Sequence, residues 1–218
     1  MATDEEPKGP PPTKYGVALF PGFQALDVFG PLDVLNNLSR DTSLEMVLLA
    51  ATLDPVSTCA PGSKSGHFGQ SVVPTHTFDK CPDDLEVLLV PGGFGTRETE
   101  VVKSVGDFVK TVYPRLRFLL TVCTGSTVVA STGLLDGKKA TTHKMVWKQA
   151  VEERQAVQWV KHARWVIDGN IWTSSGVSAG IDLTFAFVED QYGREKADEL
   201  TKLAEYVRNR DPDNDPFA

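Results

Sequence analysis

Cysteine is scarce in this sequence, and its spacing excludes two common roles. Among 218 residues there are three cysteines, Cys59, Cys81 and Cys123, and no pair has CxxC or CxxH spacing. An odd, widely separated set argues against a disulfide framework and against a zinc site. The sequence also offers no metal-ligand cluster and no phosphate-binding loop. We therefore expect a protein of a reducing, cytoplasmic compartment that needs neither a metal nor an organic cofactor.

Long apolar runs and clusters of basic residues are also missing. No apolar run approaches the ~20 residues that cross a bilayer, and the acidic start of the sequence lacks the apolar core of a secretory signal. The sequence has 22 Lys and Arg against 29 Asp and Glu, a net charge of −7, without a basic stripe. These absences predict no membrane and no nucleic-acid partner, and the expected ligand is a small-molecule substrate.

The length and the distribution of proline predict one domain between two tails. A chain of 218 residues is long enough for a single α/β domain with a full core. Residues 1–13 are charged and proline-rich, and residues 209–218 are rich in Asp, Asn and Pro, so we expect flexible tails at both ends. The domain then spans residues 14–208, with no visible internal repeat or second domain.

Between the tails, apolar segments typical of strands alternate with segments typical of helices. This alternation predicts an α/β fold, a flavodoxin-like three-layer sandwich with a mostly parallel sheet and helices on both faces. Residues 56–73 are expected to form a hairpin excursion, Asp168-Gly169 predicts a second hairpin, and residues 194–208 predict the last helix. Ligands in such sheets lie at the carboxyl ends of the strands.

A cysteine lies at the joint of one predicted strand and the helix that follows it. Residues 118–126 read FLLTVCTGS, a buried strand that runs into a helix with Cys123 between them. This is the geometry of a nucleophile elbow, with Cys in place of Ser. The free N–H groups at the start of the helix favour a thiolate, so we expect a Cys123 thiolate at neutral pH. The alternative is that Cys123 is a small buried apolar residue.

A glycine-rich turn follows a second predicted strand. Pro91-Gly92-Gly93 comes directly after the apolar segment VLLV. Glycines allow positive φ angles and a close approach of the backbone to a ligand. Parallel strands that end side by side would place the Gly92 and Gly93 amides near the Cys123 sulfur, where they could hold a developing anion or shape the pocket. The alternative is that the segment is only a turn.

Five motifs occur in an order that resembles a known family. They are FPGFQALDVFGP at 20–31, PGG at 91–93, VCTGS at 122–126, ATTH at 140–143 and DGNIWTSSGVSAGID at 168–182. Together they resemble the ThiJ/PfpI superfamily, whose fold is like that of class I glutamine amidotransferases. Within it, the likeness is greatest to isonitrile hydratases. The resemblance implies a homodimer with its interface near the elbow.

The resemblance also implies that a carboxylate lies against the elbow cysteine. Many members have Glu there, whereas isonitrile hydratases have Asp, and the matching residue in this sequence is Asp27. A carboxyl group that is buried beside a thiolate has a raised pKa and shares a proton with the sulfur. Such a group can act as a general acid. The alternative is that Asp27 is a helix-start carboxylate that interacts with nearby amides.

Two further residues are candidates for the site. Thr124 follows the nucleophile, so its hydroxyl and its amide can reach substrate or a water molecule, although the same hydroxyl could simply cap the helix. His143 is near the elbow in the family pattern, and we assign it to substrate binding with Gly92 and Gly93. Without that pattern it would be interpreted as a structural histidine. Ser178 and Asp182 are interpreted as structural residues at a strand-to-helix turn.

These residues support three hypotheses on function. The first is an isonitrile hydratase-like lyase, in which Cys123 forms a thioimidate, Asp27 carries the proton and Thr124 helps to position water. The second is a glutathione-independent glyoxalase or carbonyl-repair enzyme that uses Cys123 through a hemithioacetal. The third is not an enzyme but a redox or stress-response protein whose Cys123 is oxidised.

Overall fold

The computed structural model of the protein describes residues 9–60, 62–64 and 68–218. Residues 1–8 of the predicted N-terminal tail lie outside the described residues. The strands are β1 Lys14–Ala18, β2 Glu45–Ala50, β3 Val56–Ser57, β4 Ser71–Val72, β5 His76–Thr77, β6 Val87–Val90, β7 Phe118–Thr121, β8 Lys139–Ala140, β9 Gln158–Trp159, β10 Trp165–Asp168 and β11 Ile171–Ser174.

The main sheet has the order β10-β11-β7-β6-β1-β2-β5 among the described residues. Neighbouring strands are parallel, apart from the antiparallel pair β10–β11 that the Asp168-Gly169 turn connects. This hairpin confirms the prediction from the Asp-Gly dipeptide. Strands β3 and β4 pair with each other as the predicted excursion, and β8 pairs with β9.

Helices cover both faces of the sheet. The α-helices are α1 Ala25–Leu38, α2 Thr99–Val112, α3 Gly125–Ser131, α4 Trp147–Glu153, α5 Ala179–Tyr192 and α6 Arg194–Leu203, and single 3₁₀ turns cover Phe78–Lys80, Phe94–Arg97, Tyr113–Arg115 and Lys144–Val146. Helix α5 packs against α1 and α6, whereas α2 packs against α3. The predicted three-layer α/β domain is therefore confirmed. Within the described ranges, no helix is long and apolar enough to cross a membrane.

The parallel sheet brings three chain segments to one edge. Strands β1, β6 and β7 are neighbours and parallel, so their carboxyl ends lie side by side. Their side chains are almost entirely buried, which fits strands covered on both faces. The loop after β1 leads into α1, β6 is followed by Gly92-Gly93, and β7 is followed by Cys123. The candidate site residues of these segments therefore converge.

The C-terminal part of the chain differs from the predicted long helix. Helix α6 ends at Leu203 rather than at Arg208, because Glu205 adopts a φ angle of 46°, outside the helical region. The residues after it contain no helix or strand in the described part of the chain. The Arg164 N–H donates to Pro212 O at 2.6 Å, and the Asp215 side chain is buried. Composition predicted a flexible tail here. In the structure, the segment packs against the domain through Pro212 and Asp215.

The exposed part of α1 generates a first prediction. Leu26 and Phe29 are 42% and 43% exposed on either side of buried Asp27. We propose that two copies of the chain associate through this apolar surface, because apolar exposure of this kind is typical of interfaces. Light scattering at micromolar concentration should give a mass near twice 23.8 kDa. The double variant Leu26→Lys/Phe29→Lys should be monomeric, and a monomeric wild-type protein would contradict the proposal.

Candidate active site

Cys123 occupies a sharp turn between β7 and α3. Its φ angle is 59°, in the left-handed region that residues with a Cβ atom seldom adopt. Gly125 makes the turn possible, because a Cβ atom added there would lie 2.2 Å from Val90 O. The Cys123 side chain is buried, with 5% of the residue exposed. The predicted elbow geometry is therefore present, and the Cys123 thiol is nearly closed off from solvent.

Asp27 lies on the first turn of α1 and is fully buried. Its Oδ2 accepts a hydrogen bond from Gly92 N at 2.9 Å, whereas Oδ1 has no N–H or O–H partner among the described residues. Burial raises the pKa of this carboxyl to about 7, although hydrogen bonds from Gly92 and from the Cys123 thiol act in the opposite direction. The Asp27 carboxyl thus lies next to the Cys123 thiol.

The electrostatics of Cys123 differ from the sequence prediction. Burial, followed by the charge of Asp27, raises the pKa of the Cys123 thiol to about 12. Hydrogen bonds from the Thr124 and Val177 backbone lower that pKa by a smaller amount. The prediction of a resting thiolate was therefore wrong. It considered the amides at the start of α3, which lower the thiol pKa, but not the burial of the sulfur, which raises it by more. The resting group is a neutral thiol that needs a base.

The two glycines after β6 approach the elbow closely. A Cβ atom added to Gly92 would lie 2.5 Å from both Thr124 N and Thr124 Oγ1, and Gly93 has a φ angle of 136°. Their N–H groups are engaged within the protein, because Gly92 N donates to Asp27 Oδ2 and Gly93 N donates to Thr124 Oγ1 at 3.0 Å. The two amides therefore position Asp27 and Thr124, and are not free to hold an anion.

Thr124 is part of a hydroxyl network rather than a helix cap. Its side chain makes no capping hydrogen bond to α3. Instead, Thr124 Oγ1 accepts from Gly93 N, and the Thr96 hydroxyl lies 3.0 Å away. Thr124 Oγ1 lies 3.5 Å from Gly93 O, a long distance for a hydrogen bond donated by its hydroxyl group. The Thr124 side chain also forms a hydrogen bond with the Cys123 thiol. Its hydroxyl therefore lies at the sulfur, where it can contact a group bound at Cys123.

His143 lies beside the elbow without bonding to its reactive groups. Its Nδ1 accepts from Met145 N at 3.1 Å, which places the proton of the neutral ring on Nε2. Burial, and then the charge of Lys144, lower the imidazole pKa, so the ring is neutral at neutral pH. The ring packs on Gly176, where an added Cβ atom would lie 2.9 Å from Nε2. In the part of the chain that the structure describes, His143 makes no hydrogen bond to Cys123 or Asp27.

Three residues outside the predicted set complete the site. Thr96 bonds to Thr124, and Ser175 O accepts from Cys123 N at 3.1 Å. Val177 presents its backbone N–H to the thiol and has a φ angle of 35°, unusual for a β-branched residue. Ser175 and Val177 lie within the motif at residues 168–182, and Thr96 lies three residues after the Pro91-Gly92-Gly93 turn.

Ser178 and Asp182, interpreted from the sequence as structural residues, belong to a network around Arg164. Arg164 Nε donates to Asp182 Oδ2 at 2.7 Å, and Tyr206 and Asn209 N donate to Asp182 Oδ1. Ser178 Oγ lies 3.3 Å from the same Arg164 guanidinium. Over residues 9–60, 62–64 and 68–218, no group of three or more His, Cys, Asp or Glu side chains is arranged to hold a metal ion.

Comparison with known proteins gives consistent matches. Residues 14–190 match the model of the DJ-1/PfpI family. The isonitrile hydratase of Pseudomonas putida is 35% identical over 192 residues, 88% of this chain and 78% of that protein. The deglycase PfpI of Pyrococcus furiosus is 26% identical over 121 residues, 55% of this chain and 70% of that protein. The crystal structure of a ThiJ/PfpI family protein from Pseudomonas syringae has a TM-score of 0.71 and 30% identity, and covers 96% of this chain and 81% of that chain.

The raised pKa of Asp27 generates a prediction on stability. The folded value of about 7 lies above the ordinary 3.8, so the folded protein keeps a proton that the unfolded chain loses. The stability linked to that proton is complete below the unfolded pKa and is lost as the pH rises through the folded pKa. At about pH 8, Asp27→Asn should therefore raise the free energy of unfolding by on the order of a few kcal/mol.

Urea unfolding of wild type and Asp27→Asn at about pH 5 and about pH 8 tests this linkage. The difference between the two proteins should be present at the lower pH and should be more than twice as large at the higher one. Asp33→Asn is the matched control, because Asp33 is an exposed carboxylate on the same helix. Equal pH dependence in the two asparagine variants would show that Asp27 has an ordinary pKa.

Proposed function

Because the chain belongs to the DJ-1/PfpI family, we propose that it is an isonitrile hydratase-like enzyme that converts isonitriles to N-substituted formamides. The observation that carries the proposal is the buried pair of Asp27 and Cys123. The two groups share one site, and the carboxyl pKa of about 7 suits proton transfer at neutral pH. The 35% identity to the isonitrile hydratase of Pseudomonas putida supports the same assignment.

The first step forms two bonds at one carbon atom. The Asp27 carboxylate takes the thiol proton as the Cys123 sulfur attacks the terminal carbon of the isonitrile. A C–S bond forms, and the lone pair left on that carbon takes the same proton from the Asp27 carboxylic acid. The product is a thioimidate, R–N=CH–S–Cys123. No oxidant or cofactor enters this step, and Asp27 returns to its carboxylate form.

The second step adds water and releases the product. Water adds across the C=N bond, with its hydroxyl on carbon and its proton on nitrogen. The C–S bond then breaks, the hydroxyl proton returns to sulfur through Asp27, and R–NH–CHO leaves. The balance is one isonitrile and one water molecule for each formamide. We assign Thr124 to holding the water, because its hydroxyl lies beside the Cys123 sulfur and is held there by Gly93 N and the Thr96 hydroxyl.

The remaining site residues receive supporting roles. Gly92 N–H stabilises the ionised form of Asp27 and so sets the acid strength of that carboxyl. Gly93 N–H directs the Thr124 hydroxyl. The neutral His143 side chain, with its proton on Nε2, is assigned to contact with the substrate rather than to proton transfer.

A carbonyl-repair activity is the second candidate. The similarity to the deglycase PfpI of Pyrococcus furiosus favours it, at 26% identity over 55% of this chain. A carbonyl substrate takes the sulfur at carbon and the proton at oxygen, so its acid must reach beyond the attacked atom. The short side chain of Asp27 suits an isonitrile better, because sulfur and proton then go to the same carbon. The neutral, buried thiol also argues against a redox sensor, for which an exposed thiolate is typical.

Replacement of the nucleophile tests the covalent route. Cys123→Ala should abolish formamide production from a panel of aryl and alkyl isonitriles, because the variant cannot form a thioimidate. Product mass and turnover are measured by liquid chromatography with mass spectrometry, and methylglyoxal is assayed in parallel. Cys81→Ala is the matched control and should keep wild-type turnover. Wild-type conversion of methylglyoxal without conversion of any isonitrile would favour the carbonyl-repair alternative.

Replacement of the acid tests the proton route. Asp27→Asn keeps the size of the side chain and removes its titrating proton, so kcat should fall by about 10²–10⁴-fold. In the wild-type protein, kcat should change with pH around the Asp27 pKa of about 7, and this transition should be absent from the residual activity of the variant. Asp33→Asn should retain both the rate and the transition. An Asp27→Asn enzyme with unchanged kcat would leave Asp27 a structural residue.

A further inference from the structure

Two loops that are distant in sequence hold the peptide groups of Cys123. The Cys123 N–H donates to Ser175 O at 3.1 Å, and Cys123 O accepts from Thr142 Oγ1 at 3.1 Å. Cys123 needs such support, because its left-handed backbone conformation is unfavourable for a residue with a Cβ atom. The geometry of the thiol therefore depends on where the loops 141–144 and 175–178 are held.

A buried ion pair connects these two loops. Lys144 Nζ donates to Thr141 Oγ1 and to Ala163 O, both at 2.9 Å, and lies 3.3 Å from Asp215 Oδ2. The two charged side chains are 8% and 0% exposed. The Asp215 carboxylate also forms a hydrogen bond with the Ser175 side chain. A single pair of charges thus contacts the loop on each side of Cys123.

The C-terminal segment carries Asp215 to this position. Pro212 O accepts from Arg164 N at 2.6 Å, and Phe217 N donates to Asp215 Oδ1 at 3.1 Å. Arg164 O in turn accepts from Ser175 N at 2.8 Å. Residues before and after the carboxylate are therefore fixed, and Arg164 links the segment directly to the loop that contacts Cys123.

The chemistry of the pair favours a positioning role over simple attachment. A buried ion pair adds little net stability compared with apolar side chains of the same size. It does, however, fix the direction in which the two charged groups approach each other. Lys144 has three N–H donors, and around them lie Thr141 and Thr142 from its own loop, Ala163 from a second segment and Asp215 from a third. An apolar contact could attach the segment to the domain, but it would not fix these three segments relative to one another.

We propose that Lys144 and Asp215 are positioning residues of the active site. Their ion pair fixes the loops 141–144 and 175–178 against Cys123, and the C-terminal segment supplies one of the two charges. The inference rests on the proposed function in taking Cys123 as the nucleophile. It assigns to residues 212–217 a part in building the site.

Alkylation of individual cysteines tests the proposal without any substrate. Wild type, Asp215→Asn and the control Asp213→Asn are treated with iodoacetamide, and modification of each cysteine is followed by mass spectrometry. Asp213 is exposed in the same segment, so the control has the same change of charge. In Asp215→Asn, Cys123 should react about tenfold faster, because the loops open locally. The half-buried Cys81 should react at its wild-type rate.

The turnover number, kcat, is a second readout. Easier access of reagent to Cys123 would not by itself lower kcat. With the loops displaced, kcat for formamide formation should fall by about tenfold while KM changes less, because the reacting groups are misplaced. Asp215→Glu keeps the charge and moves it by one methylene group, so a smaller acceleration at Cys123 alone would support the proposal. This variant also retains a partner for Lys144 if Asp215→Asn is too unstable to purify.

Two results would overturn the inference. In the first, Cys123 alkylation and kcat of Asp215→Asn match those of Asp213→Asn. In the second, Cys81 and Cys123 accelerate together while the melting temperature falls, which would make the pair a contributor to global stability only. If the wild-type protein converts no isonitrile, the proposed function fails. The alkylation rates still test whether the ion pair positions the loops around Cys123.

Discussion

Two acidic groups buried side by side impose the constraint on which the site depends. Asp27 and Cys123 are both withdrawn from water, and burial opposes the ionisation of each. The ionisation of each group opposes that of the other, so the two titrate as one coupled pair. Gly92 N–H favours the charge on the carboxylate, whereas the Thr124 and Val177 amides favour it on sulfur. The backbone around the pair is arranged so that either atom can carry the charge when the proton leaves it.

Such an arrangement requires chain segments to approach more closely than side chains permit. An added Cβ atom would lie 2.5 Å from Thr124 N at Gly92, 2.4 Å from Gln24 N at Gly93 and 2.2 Å from Val90 O at Gly125. These distances are too short for real atoms, so the three glycines are needed where the strand ends meet. The glycine-rich turn that the sequence indicated as an anion cradle serves first to bring β6 against α1 and α3.

The convergence of Asp27, Gly92 and Cys123 could be predicted from the sequence, because each follows a strand of a parallel sheet. The direction of the Cys123 pKa shift could not be predicted from the sequence, because it depends on how completely distant residues cover the sulfur. Val177 belongs to that cover, and its positive φ angle has no signature in the local sequence. Asp215 was equally hidden, since the composition around it is that of a solvated tail and only the folded chain buries its carboxylate against Lys144.

A neutral thiol at rest bears on which reactants the site can serve. A thiolate reacts with many electrophiles and oxidants that reach it, whereas a neutral thiol becomes nucleophilic only when the adjacent carboxylate takes its proton. The reactant must then accept sulfur and proton within the reach of one short carboxyl side chain. An isonitrile meets this condition, since both go to its terminal carbon, whereas a carbonyl needs the acid at a second atom. The geometry of Asp27 thus gives a physical reason, independent of sequence identity, to place isonitriles ahead of carbonyl compounds as the proposed substrates.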